Sequence, residues 1–273
     1  MKAKLDDFVI LKVIGRGVMG KVLLVRHKES RKLYALKSIH KEWILSHGQV
    51  QHAKSERDIL AAFRDSFFNI QDNEDVGGSG MKGFLIKLHA SFQTSTEIFY
   101  VLDFMVGGDL ASILARESRL GEGRSRFVAA EIAVGLHLLH SKGIVYRDLK
   151  PENVLLDAHG HVVLNDFGLS KILASNPKTN TFCGTAEYLA PEILKGIAYD
   201  QSVDWWSFGT MLYEMITGIT PYWNENANLM YRRILWEEMI EFPSFVSPEA
   251  RDLIIKVSWI GWFDLFVTCL LSL

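Results

Sequence analysis

Tyr146-Arg147-Asp148-Leu149-Lys150-Pro151-Glu152-Asn153 is the stretch on which the reading of this chain turns. Asp148 is placed to accept a proton from a substrate hydroxyl. Lys150 can neutralise charge that builds on a transferred phosphoryl group, and Asn153 can reach a Mg2+ ion. A lone aspartate is more often a capping or loop residue. Here a second acidic element follows, Asp166-Phe167-Gly168, whose Asp166 offers the hard oxygen ligand that Mg2+ prefers. Two acidic elements at this spacing make the bland reading of each hard to keep.

Upstream stands Gly15-Arg16-Gly17-Val18-Met19-Gly20-Lys21-Val22, a G-x-G-x-x-G-x-V pattern. Glycines let the backbone approach phosphates and present N–H groups to them. The same stretch nearly fits a P-loop, with Gly15 and Gly20-Lys21 correctly spaced. A P-loop requires Ser or Thr next, followed by a helix; the chain has Val22 and a β-branched run. A Rossmann fingerprint also requires a helix there. A plain glycine-rich hairpin is the remaining alternative for this motif taken alone. Lys37 lies in a following strand-like run and Glu56 on the first helix-like one. A lysine held by a carboxylate can bind the α- and β-phosphates of a nucleotide, although each alone reads as a surface charge.

The periodicity predicts strands over 8–14, 22–26, 33–39, 84–92 and 97–104. It predicts helices over 49–64, 125–141, 202–217 and 226–236. Ala53, Ile59, Leu60 and Phe63 form the apolar face of the first helix, and Ser125 is a candidate cap for the second. Residues 66–83 read as a flexible surface insertion, with the cluster Gly77-Gly78-Ser79-Gly80. The first third is strand-rich and the rest helix-rich. Apolar residues are 48% of the chain and charged ones 23%, as in a globular protein, and the net charge of −2 argues against a nucleic-acid binder. Two cysteines, Cys183 and Cys269, fit a reducing compartment, so the expected location is cytoplasmic or nuclear.

Taken together, the motifs resemble the protein kinase superfamily over roughly residues 8 to 255. Ala190-Pro191-Glu192 closes an activation segment as in that family. Asp204-Trp205-Trp206-Ser207-Phe208-Gly209 resembles the helix that braces its catalytic loop. The resemblance implies an α+β, two-lobed fold with a small antiparallel N-lobe (8–103) and a helical C-lobe (104–256). It implies ATP and Mg2+ as cofactors and γ-phosphate transfer to Ser or Thr of protein substrates. Catalytic roles fall on Asp148, Lys150, Asn153, Lys37 and Glu56, and metal binding on Asn153 and Asp166. The nucleotide pocket would comprise Gly15, Gly17, Gly20, Val22, Ala35, Lys37 and Leu155, with Asp103 and Met105 as hinge and Leu102 as gatekeeper.

Finer details look like the AGC group, Akt-like kinases in particular: Tyr146 in place of the usual His, and Thr181-Phe182-Cys183-Gly184-Thr185. By that resemblance an upstream kinase phosphorylates Thr181, and Arg147, Lys171 and His52 receive the phosphate. Asp109, Glu152 and Glu214 match positions that bind substrate arginines in basophilic relatives, or else are solvated charges. Nucleic acid and membrane are not expected partners.

Two departures stand out. Ala186 replaces the family's usual proline. After about Ile255 the text VSWIGWFDLFVTCLLSL (257–273) leaves the family pattern, and no arginine follows Arg251 to pair with Glu192. That apolar tail reads as a membrane anchor, a buried or aggregating segment, or an artefact of gene structure. The alternative to an active kinase is a catalytically impaired, truncated nucleotide-binding or decoy form.

Overall fold

The computed structural model describes residues 3–68, 83–173, 178–237 and 240–260. The chain divides into two compact units, Met1–Val106 and Gly107–Leu273.

The first unit is an antiparallel five-stranded sheet with two helices. β1 (Phe8–Gly17) and β2 (Gly20–His27) form a hairpin whose last pair is Gly17 opposite Gly20. β3 (Leu33–His40), β4 (Leu88–Gln93) and β5 (Glu97–Asp103) complete the order β1-β2-β3-β5-β4. The side-chain period of two sorts β3 into two faces. Leu36 joins Phe8, Val25, Phe99 and Val101 in the core, with Tyr34 packed beside it. Ala35 and Lys37 point to the opposite face. Gly20 is required by close approach: a Cβ there would lie 1.9 Å from the Ser38 carbonyl oxygen. α1 (Lys41–Ser46) leads into α2 (Val50–Phe68). Ile59, Leu60 and Phe63 bury one face of α2 as the spacing predicts. The helix runs past the predicted end to Phe68, so the expected insertion begins inside it; residues 69–82 lie outside the described residues.

The second unit starts with β6 (Gly108–Asp109) and α3 (Leu110–Glu117). α4 (Glu122–Ser141) follows, then β7 (Ile144–Val145), β8 (Val154–Leu156), β9 (Val162–Leu164) and β10 (Lys171–Ile172). The helices α5 (Pro191–Leu194), α6 (Ser202–Thr217), α7 (Ala227–Trp236) and α8 (Pro248–Ile260) complete it. α6 is buried almost all round and is the unit's centre, as expected for a helix apolar on every side. It ends on Gly218 in the left-handed region at φ 93°, whose N–H bonds the Glu214 carbonyl. α8 packs on α6 at Gly209, where a Cβ would sit 2.2 Å from Ser258 Oγ.

One sequence expectation fails in this unit. Ser125 does not cap α4. The helix begins at Glu122, and Ser125 is fully buried inside it, its hydroxyl without a hydrogen-bond partner among the described residues. Packing against the core outweighs its capping preference. Glu192, for which the sequence offers no arginine after Arg251, is half-buried and makes no ion pair among the described residues. Of the unusual ending, residues 257–260 continue α8, and residues 261–273 lie outside the described residues. Among the described residues no helix is long and apolar enough to cross a membrane.

Candidate active site

In the first unit, antiparallel pairing sets Val22 opposite Lys37 and Ala35 opposite Leu102. Lys37 Nζ donates to Glu56 Oε1 at 2.6 Å, and Glu56 is almost wholly buried. A buried carboxylate this close fixes a charged amine at a defined place on the sheet face that also carries Ala35. Beside the pair, Tyr100 donates its hydroxyl to the Ala53 carbonyl at 2.9 Å. Burial, reinforced by the Glu56 charge, pushes the Tyr100 hydroxyl up to about 12, so it remains a proton donor. Gly17 leaves the hairpin backbone uncovered, since a Cβ there would meet nothing within 4 Å, whereas one at Gly15 would touch Val22 at 3.5 Å. Asp103 accepts from His89 Nε2 at 2.6 Å, and Met105 follows at the unit's end, half-buried.

In the second unit, the catalytic stretch folds around one carboxylate. Asp148 Oδ1 accepts from Thr185 Oγ1 at 2.9 Å, and Oδ2 accepts from Asn153 Nδ2 at 2.9 Å. Lys150 Nζ lies 3.0 Å from Oδ2 and donates to Thr185 Oγ1 at 2.8 Å. Asn153 Nδ2 also donates to the Asp148 carbonyl at 2.8 Å. Both amide hydrogens of Asn153 therefore turn toward Asp148, which leaves Oδ1 as an acceptor for a cation. Leu155 lies in β8, half-buried, next to this loop.

Buried Asp204 on α6 holds the loop in shape. Its Oδ1 accepts the Arg147 N–H at 2.7 Å; Oδ2 accepts the Tyr146 N–H and His140 Nε2, both at 2.8 Å. These bonds sustain a left-handed Arg147, φ 70°, a conformation that costs a non-glycine residue of order 1 kcal/mol. Asp166 is left-handed too, φ 58°, and its Oδ1 accepts the Gly168 N–H at 3.3 Å. Phe167, 1% exposed, packs edge-on against Tyr146 with centroids 5.5 Å apart.

Thr181 sits at the end of two chains of contacts. Arg147 Nη1 donates to Tyr199 Oη at 3.3 Å, and Tyr199 donates to the Thr181 carbonyl at 2.6 Å. Lys171 Nζ donates to Thr179 Oγ1 at 2.9 Å, which lies 3.4 Å from Thr181 Oγ1. Two of the three expected phosphate receivers are thus one side chain away from Thr181. His52 belongs to the first unit, where its Nδ1 bonds Gln49 Oε1.

The acidic residues divide. Asp109 spends one oxygen capping α3 through the Ser112 N–H at 2.7 Å. Glu214 accepts from the Tyr188 hydroxyl, and exposed Glu152 and half-buried Glu187 bear on it electrostatically. Burial first, and these two charges next, hold the Glu214 carboxyl above the usual carboxylate range. Glu187, Thr185 and Tyr199 are site residues that sequence reasoning did not name as such. The text Gly184-Thr185 was the one available signal, and it was read only as a mark of family.

The protein kinase domain model matches residues 8–258. This chain belongs to the protein kinase domain family. Among curated proteins it is 43% identical over 255 residues to the RAC family serine/threonine-protein kinase homolog of Dictyostelium discoideum, covering 93% of this chain and 53% of that protein. It is 46% identical over 252 residues to serine/threonine-protein kinase YPK2/YKR2 of Saccharomyces cerevisiae, 92% of this chain and 35% of that one. It is also 46% identical over 253 residues to serine/threonine-protein kinase Sgk1 of Danio rerio, 92% of this chain and 54% of that one. These relatives are AGC-group kinases. The chain spans about half the length of the curated relatives it matches, or less. The kinase fold accounts for both units as observed, a β-sheet N-terminal unit and a helical C-terminal one.

Proposed function

We propose that this protein is an ATP- and Mg2+-dependent serine/threonine kinase of the AGC group. The observation that carries the reading is the Asp148 carboxylate, held by Asn153, Lys150 and Thr185 on a loop fixed by Asp204. Asp148 takes up the proton of the substrate hydroxyl as that oxygen attacks phosphorus. Lys150, within reach of the same carboxylate, faces the negative charge that grows on the transferred group. Lys37, steadied by Glu56, binds nucleotide phosphates, and the glycine hairpin offers its backbone N–H groups to them.

The donor set fits Mg2+: a carboxylate at Asp166 and the amide oxygen of Asn153 are hard ligands. Among the described residues no group of three or more His, Cys, Asp or Glu forms a denser metal cage. Two protein ligands are what a cation shared with phosphates requires. When bound, Mg2+ would supply charge neutralisation along the phosphates.

The finer reading has two parts. Thr181 is the regulatory phosphorylation site; an added phosphate replaces the present neutral links and draws Arg147 and Lys171 directly, with His52 as a third receiver. Glu152 and Glu214, with Asp109, select arginine before the acceptor residue. The test is transfer of labelled phosphate from ATP to an arginine-rich peptide. Wild type should transfer and Asp148→Asn should retain nucleotide binding with transfer lost. Equal turnover in the two proteins would overturn the role of Asp148, and no transfer by the Thr181-phosphorylated wild type would overturn the activity.

A further inference from the structure

A cavity of about 490 Å3 opens in the first unit, on the core face of the sheet. It lies at the end of the β1–β2 hairpin where Phe8 pairs with His27, roughly 30 Å along the strands from the glycine turn at ~3.3 Å per residue. Tyr34 lines it, one residue from Ala35 and hence on the opposite face of β3. It is therefore separate from the nucleotide-binding face proposed above.

Its walls are apolar and ring-rich. Phe8 and Val101 belong to the core, Phe8 meets Tyr34 edge-on at 6.3 Å, and Tyr34 meets His89 edge-on at 4.9 Å. A buried polar side chain, His27, stands among them. His27 is 94% buried, and its Nδ1 accepts the Ser30 N–H at 3.1 Å. In the neutral ring the proton is then on Nε2, and Nε2 meets no partner among the described residues. Lys32, exposed at the rim, makes no ion pair among the described residues. Glu29, also exposed at the rim, opposes any anion, but a singly charged one less than a doubly charged one such as phosphate.

We propose that this cavity binds a small aromatic monocarboxylate, its ring among Phe8, Tyr34 and Val101 and its carboxylate between His27 Nε2 and Lys32. The volume lies within the usual range for small-molecule sites, and a flat apolar wall with a few placed polar groups is their ordinary construction. An aromatic ring gains edge-to-face contacts in such a wall, and a carboxylate accepts from the His27 N–H.

The probe is 2-naphthoate, titrated into the full chain, with the aromatic resonances of His27, His89 and Tyr34 followed by NMR. Saturable shifts at these three residues are expected. Lys32→Glu, an exposed change, should weaken binding roughly threefold. His27→Phe should weaken it roughly tenfold, and His27→Gln, which keeps an N–H donor, should restore part of the loss. 2-Naphthamide should bind more weakly than 2-naphthoate. Shifts confined to other residues, an unchanged affinity in Lys32→Glu, or equal binding of the amide would each overturn the proposal. The Lys32 variant and the ligand pair decide it even where a His27 variant fails to fold.

Discussion

Asp148 shows how little freedom a carboxylate at the proposed reaction centre has. Three side chains donate to its carboxylate, so its orientation is set before any substrate arrives. Asp148→Asn is expected to lower the rate constant for transfer by about 100- to 10,000-fold, the usual range for a lost general base, with nucleotide affinity unchanged. Single-turnover kinetics with a separate binding titration checks both halves. Glu214 yields a pH prediction. Its folded pKa lies above the unfolded one, so its contribution to stability is full below the unfolded pKa and fades as pH rises through the folded value. Urea melts from about pH 4 to about pH 7 should show wild type losing stability relative to Glu214→Gln across that window. A parallel pH profile for the two proteins would contradict the raised pKa. At this scale the sequence is legible where short spacing brings polar groups together, as at Asp148 and Asn153. Thr185 and Tyr199 were illegible because a hydroxyl has no periodicity, and their partners Asp148 and Arg147 lie 37 and 52 residues away.

At the level of elements, two glycines of one hairpin make a controlled comparison. Gly20→Ala forces a Cβ against the β3 backbone, which cannot yield as a side chain would. A loss of about 2 kcal/mol or more is expected. Gly17→Ala opens onto space and should stay within about 0.5 kcal/mol, although it covers backbone that phosphates would approach. Thermal melts rank the two, and nucleotide titration should find Gly17→Ala impaired despite its normal stability. α6 offers the second case. Asp204→Asn leaves one oxygen for three donors, so roughly 3 kcal/mol of charge-assisted bonding is lost. Transfer should fall with it, because the Arg147 backbone loses its restraint. Strand positions were readable from short apolar, partly β-branched runs around glycine turns, and α6 from its apolar run. The start of α4 was not, because Ser125 carries a capping residue's chemistry into a position that packing had already claimed.

For the molecule as a whole, ligand linkage is the measurable quantity. ATP with Mg2+ should raise the melting temperature as concentration exceeds Kd, by about 2.7 kcal/mol at a hundredfold excess. Asp166→Asn should remove the Mg2+-dependent part of that rise and leave the part due to nucleotide alone. A rise that is equal with and without Mg2+ in wild type would remove Asp166 from the metal site. The two units were legible from the sequence as a strand-rich beginning and a helix-rich remainder. The ending was less so: the text departs from the family pattern near residue 255, yet helical periodicity continues and α8 reaches Ile260 with Ile254 and Val257 buried. A helix asks only for apolar residues on the correct side, whatever the rest of the text says.

The brace on the catalytic loop also has a consequence in time. Asp204 is 57 residues C-terminal to Arg147, the residue whose strained backbone it holds. During synthesis the loop emerges first and its restraint several seconds later, at roughly 5–20 residues per second. A nascent chain therefore carries every reacting group without the geometry to use them. The restraint on the Arg147 backbone arrives only when α6 docks. Refolding followed by the fluorescence of Trp205 and Trp206, both on α6, should show their burial preceding or matching the return of phosphate transfer, never trailing it.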